Sequence, residues 1–222
     1  MTSRTLYRLS GGTLIVGSLL LSIGTVLTST LYGNATPQQI LSLSWLLVGL
    51  MIFIGSLLFV IGLPGMYLRQ AGRAGVLGLV GFILLFFAML LAGVVFIGVQ
   101  VIVFPTLAQK APQLVGPTNT PGGAVLLLLI SGLMLSIGPI VLGIATMRAR
   151  VFPRLAGVLL IVSGVASLVA MLPGILGTIL EVVSAITLAV ACVWCGSRLL
   201  TRQDETVEAV ARPPAEAGVL SS

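Results

Sequence analysis

The chain contains no histidine, and charged residues make up 7% of it, against roughly 25% in an average soluble domain. Both shortages exclude whole classes of protein. Without histidine there is no Ser-His-Asp or Cys-His arrangement and no histidine-based metal site. With so few polar side chains, a water-soluble globule could not cover its own surface. The only cysteines, Cys192 and Cys195, have C-x-x-C spacing inside an apolar run. With no second cysteine pair beside them, they read as small packing residues and not as a redox or metal motif. Glycine is abundant, yet no phosphate-binding or dinucleotide fingerprint appears, because the glycines fall inside the apolar runs and not between a strand and a helix. The alternation of a membrane β-barrel is also missing. No catalytic residue, cofactor or metal is therefore expected.

What remains is hydrophobic: 58% of the residues, gathered into six runs. A run of about 20 residues, rising ~1.5 Å per residue, crosses a hydrocarbon core of ~30 Å. The expected fold is an all-α polytopic membrane protein, a six-transmembrane-helix bundle in the lipid bilayer. Its helices are placed at about 11–31, 44–63, 75–103, 123–147, 155–172 and 175–199. The first run is longer than a signal-peptide core and lacks a clear cleavage site, so it counts as a span. The third is longer than a perpendicular crossing needs, which implies tilt. Pro64-Gly65 and Pro173-Gly174 read as turns ending the second and fifth helices. Inside the fourth helix, Pro139 removes the hydrogen bond to the Leu135 carbonyl and is a candidate kink, structural or hinge-like.

Charge placement orients the bundle. A pI of 10.4 could suggest nucleic acid, but the arginines stand in small groups at 4–8, 69–73, 148–154 and 198–202. They bracket apolar runs and form no basic patch, so no nucleic-acid partner is expected. With the N-terminus inside, every group lies on one side and Lys110 alone lies in a loop on the other. The positive-inside rule then places the protein in the cell membrane with both termini cytoplasmic and loops 32–43, 104–122 and 173–174 external. Asn34-Ala-Thr36 matches a glycosylation acceptor pattern and is taken as chance in so short a loop. Residues 203–222 are polar, with Asp204, Glu205, Glu208 and Glu216, and are expected to form a flexible cytoplasmic tail that either binds a partner or aids solubility.

Three helix starts share a basic residue, a small residue and a glycine: Arg8-Leu-Ser-Gly11, Arg73-Ala-Gly75 and Arg154-Leu-Ala-Gly157. Gly49-Leu-Met-Ile-Phe-Ile-Gly55 also matches Gly132-Leu-Met-Leu-Ser-Ile-Gly138. The second and third helices thus read as a copy of the fourth and fifth. Such helical-hairpin repeats would be parallel, as in some transporters, although short matches also arise from shared membrane composition. Ser18/Ser22, Gly132/Ser136 and Ser163/Ser167 are small-xxx-small pairs that let helices approach closely, within the bundle or toward a second copy or another membrane protein.

Glu181 is the one acidic residue inside an expected span. A charge at the bilayer centre costs roughly 2.5–3.5 kcal/mol on insertion scales, so such residues usually face the interior and have partners. Gln100 and Ser131 are expected at similar depth, and Thr178 and Ser184 flank Glu181 at helical spacing on one face. These five residues are the candidate proton, cation or polar-cluster site. Alternatively, Glu181 holds the bundle together by hydrogen bonding. Because the spans offer so few polar groups, composition favours a non-enzymatic structural, interaction or accessory protein. The alternative is a small transporter or channel using Glu181, Gln100 and the Pro139 kink. A cavity reaching Glu181 would favour that alternative.

Overall fold

A computed structural model describes residues 3–33, 35–111 and 122–211, and all regular structure among them is helical. In order come α1 (Ser3–Leu31), the short α2 (Pro37–Ile40), α3 (Leu43–Ala88), a π-helical stretch (Met89–Phe96), α4 (Ile97–Lys110), α5 (Gly122–Ala149), α6 (Arg154–Ala170) and α7 (Ile175–Ala211). In an apolar solvent a helix satisfies its own backbone. Hydroxyls on these helices do the same by bonding back to the preceding turn: Ser56 Oγ donates to the Ile52 carbonyl at 2.7 Å, and Thr28 Oγ1 to that of Gly24 at 2.9 Å. The ends are set by side-chain caps where polar residues allow. Thr36 and Gln39 form a capping box on α2, and Ser42 accepts from the Trp45 N–H to start α3.

Four helical stretches are long and apolar enough to cross a membrane: Tyr7–Leu31, Leu43–Lys110, Val125–Ala149 and Ile175–Leu200. The helix Arg154–Ala170 is apolar but shorter. At 68 residues, Leu43–Lys110 would be far longer than any bilayer is thick if straight. It folds back at Gly75, whose φ of 58° and ψ of −160° are open to glycine and strained for other residues. Tyr67 stacks on Phe82 (ring centroids 4.8 Å apart), Ser56 abuts Gly93, Gly49 faces Val101, and Trp45 stacks on Phe104 (6.5 Å). Each step away from Gly75 along one arm is matched on the other, so residues 43–74 and 76–110 form an antiparallel hairpin.

The segments close into a ring of antiparallel neighbours. α1 packs on the first arm of α3, the second arm on α5, α5 on α6, α6 on α7, and α7 back on α1. Backbones nearly touch where glycines face each other: Gly17 with Gly55, Gly143 with Gly157, and Gly11 with Gly196. Close van der Waals packing of this kind holds helices together in lipid, where burial from water supplies no drive. One set of contacts recurs. Leu14, Gly17 and Leu21 of α1 meet Gly62, Phe59 and Gly55, while Gly78, Gly81 and Leu85 meet Ala145, Leu142 and Gly138. The second set is displaced from the first by a constant number of residues on each side.

Ring closure gathers the arginines. Ser10 lies against Gly65, Gly11 against Gly196, Gly78 against Ala145, and Met147 against Gly157. Those contacts put Arg8, Arg73, Arg148, Arg154 and Arg198 at one end of the bundle. Lys110 and a small cluster of Ile40, Trp45 and Ala108 occupy the other.

Several helix limits differ from the sequence expectation. The second helix does not end at residue 63: it continues through Pro64 to the Gly75 turn, because buried Leu63, Met66 and Gln70 hold it in place despite the lost hydrogen bond. Residues 104–110, expected in an external loop, are helical despite Pro105, and the last helix continues past 199 to Ala211, into what was expected to be a flexible tail. The fifth helix stops at Ala170, ahead of the turn at Gly174. Pro139 is buried within an unbroken α5. Asn34, residues 112–121 of the expected loop and residues 212–222 of the expected tail lie outside the described residues.

Candidate functional site: a cavity at Glu181

The two halves of the ring are filled differently. Toward the arginine end the interior is packed solid by Phe59, Leu63, Met66, Leu160, Cys195 and Leu199, each no more than 1% exposed. Away from the arginines the segments line a half-open cavity of about 410 Å³. Its volume falls within the ~300–1,000 Å³ range of small-molecule sites.

Each wall follows from local structure. α1 contributes Ser18, Ser22, Thr25 and Thr28, a polar stripe at i, i+4, i+7 and i+10 of an otherwise apolar helix. Met89, Ala92, Gly93 and Phe96 come from the π-helical stretch. Such stretches are uncommon, change which side chains face inward, and occur often at functional sites. Gly93 is required there, since a Cβ would run into Ser56. α6 adds Ser163 and Ser167, and α7 adds Ser184 and Glu181.

Four of the seven hydroxyls lining the cavity have their hydrogens committed. Ser18 donates to the Ile15 carbonyl (3.1 Å) and Thr28 to that of Gly24 (2.9 Å). Ser163 and Ser184 clamp α6 to α7 reciprocally, each hydroxyl donating to the other's carbonyl, at 3.1 and 2.9 Å. Ser167 accepts from Ser136 at 3.2 Å. A hydroxyl whose hydrogen is already committed presents only lone pairs. Glu181 is the one ionisable group lining the cavity; it is exposed, and no hydrogen bond or ion pair engages its carboxylate among the described residues.

Of the five candidate residues, the structure brings Glu181 and Ser184 to one cavity. Thr178, Gln100 and Ser131 are not among its lining residues. Ser131 is buried and donates to the Leu127 carbonyl at 2.8 Å, while Gln100 is half-buried on α4, just beyond the π-helical stretch. The direction Gln100 faces cannot be counted from sequence, because the π-helical stretch Met89–Phe96 precedes it.

Two features escaped the sequence reading. The stripe on α1 carried a legible signal, polar residues at helical spacing in an apolar run. The other feature carried none: Gln70, fully buried, accepts a hydrogen bond from Thr146 at 3.1 Å, and its Nε2 has no partner among the described residues. It sits in residues that Pro64-Gly65 had marked as loop. Among the described residues no group of three or more His, Cys, Asp or Glu side chains is placed to hold a metal. Comparison with family models, curated proteins and solved structures finds no match to this chain.

Proposed function

We propose that the protein is a six-crossing integral membrane protein that binds a small solute in the cavity at Glu181, as a transporter does. The observation that carries this reading is the cavity itself: seven hydroxyl-bearing side chains and the carboxylate of Glu181 converge on it from three helices. In the cell membrane the arginine end would be cytoplasmic by the positive-inside rule, with both termini inside. The cavity then faces outward and the packed half separates it from the cytoplasm. A carrier fits that arrangement better than an open channel does.

Six crossings follow from treating the two arms of the Leu43–Lys110 hairpin as separate spans. An even number of antiparallel segments is also what allows α1 and α7 to lie antiparallel at ring closure. The recurring contact set supports helical-hairpin repeats. It pairs Gly55 with Gly138 at the same displacement as the sequence match between Gly49–Gly55 and Gly132–Gly138. Acid–base catalysis forms no part of this reading, because the cavity offers a single ionisable group and no second residue to exchange protons with it.

Thiol accessibility tests the proposal. In a background with Cys192 and Cys195 changed to alanine, single cysteines are placed at Ser22 and Ser184 in the cavity and at Leu63 in the packed half. A membrane-impermeant maleimide added outside intact cells is expected to label the first two and spare the third. A structural or accessory role predicts no labelling at Ser22 or Ser184 from either side, and that outcome would sink the transport reading.

A further inference from the structure

We infer that the ligand of this cavity is an organic monocation with an apolar body, an alkyl- or arylammonium of small-molecule size. The inference rests on the cavity being a binding site, as proposed above, and names what it would select. Glu181 supplies one negative charge, and no basic residue lines the cavity to neutralise it. A neutral ligand filling the cavity would displace water from that exposed carboxylate and bring no counter-charge, which is costly. An anion would be repelled by it. A hard metal ion needs six or more oxygen ligands in a compact shell, whereas the cavity has one carboxylate and hydroxyls spread along three helices.

The remaining walls suit the rest of such a molecule. Met89, Phe96, Leu128, Leu135 and Leu188 offer apolar surface, and the Phe96 ring presents a face that attracts cations. Ser18, Thr28, Ser163 and Ser184 have spent their hydrogens on backbone carbonyls. They can accept from an ammonium N–H but have no hydrogen left to offer an anion. Charge and volume select the same class of ligand, and these four hydroxyls suit it.

A matched pair of probes tests it: benzyltrimethylammonium and its uncharged carbon isostere, neopentylbenzene. Binding is measured by equilibrium dialysis on the full chain in lipid nanodiscs, with empty discs as reference. The cation is expected to bind at least about tenfold more tightly than the isostere, a difference of about 1.4 kcal/mol. Glu181→Gln should remove that preference, leaving isostere affinity within about twofold, and Glu181→Asp should keep part of it, showing that charge and not folding is responsible. Equal binding of both probes to the wild type, or a preference that survives Glu181→Gln, would overturn the cation assignment. If both probes then lose binding in the cavity-filling variant Ala185→Phe, the cavity still stands as a binding site. Binding of neither probe above empty discs would overturn the assignment and the site together.

Discussion

The arginine half and the cavity half of this bundle are built from the same helices, yet one is solid and the other hollow. On α7, Ala191, Cys192 and Cys195 are buried in the solid half, while a few turns earlier Glu181, Ser184 and Ala185 line the cavity. On α3, the helical arm around Leu85 packs fully against α5, and the π-helical residues beyond it open onto the cavity. A helical bundle of nearly uniform hydrophobicity thus acquires a cavity through the placement of small hydroxyl residues and one change of helical pitch.

The difference should appear first in stability. Phe59→Ala, in the solid half and fully buried, is expected to cost about 3–5 kcal/mol in reversible unfolding from mixed micelles, the range for deleting a buried phenyl ring. Phe96→Ala on the cavity wall should cost clearly less, because one side of that ring already lacks neighbours. Equal losses would mean that the two halves are packed alike. Insertion should show the opposite asymmetry: Ala191→Leu overpacks the solid half and should cost about 1–3 kcal/mol, whereas Ala185→Leu has space to fill and should be near neutral in the same assay.

Glycines give a smaller contrast. A methyl group added at Gly12 would meet nothing within 4 Å, so Gly12→Ala should stabilise α1 by up to about 1 kcal/mol through helix propensity. At Gly17 the same change meets the backbone of Phe59 and Gly55 and should destabilise; a thermal melt of the two variants that ranked them the other way would contradict the close helix approach. Last, Ser163→Ala removes one side of the α6–α7 clamp, and about 0.6 kcal/mol is expected, the average for hydrogen bonds between membrane helices.

Much of the architecture was legible in the amino-acid order because lipid imposes simple rules. Run length and the scarcity of charge within the runs forecast helices, and arginine groups forecast the end they share; Gly75 read as the first residue of the third helix, whereas the chain folds back on it. Proline was the misleading signal. Pro64 was read as a terminator, yet its helix continues, since a single missing hydrogen bond is outweighed by the packing of Leu63, Met66 and Gln70. Glu181 stood out by its chemistry alone. Its company was legible only in part: Ser184 lines the same cavity, whereas Gln100 and Ser131, expected at its depth, do not, and Ser22, Thr25 and Ser167 do.

Composition and charge order alone thus establish an all-helical, membrane-compatible chain with its arginines at one end, because hydrophobic length and backbone satisfaction depend on local sequence only. Whether the interior is filled or empty is settled by packing across the ring. That outcome depends on the angle at which each helix presents its side chains, and on how closely Gly17, Gly55, Gly143 and Gly157 let backbones approach. Both are relations between segments distant in the chain, which no single stretch of sequence encodes.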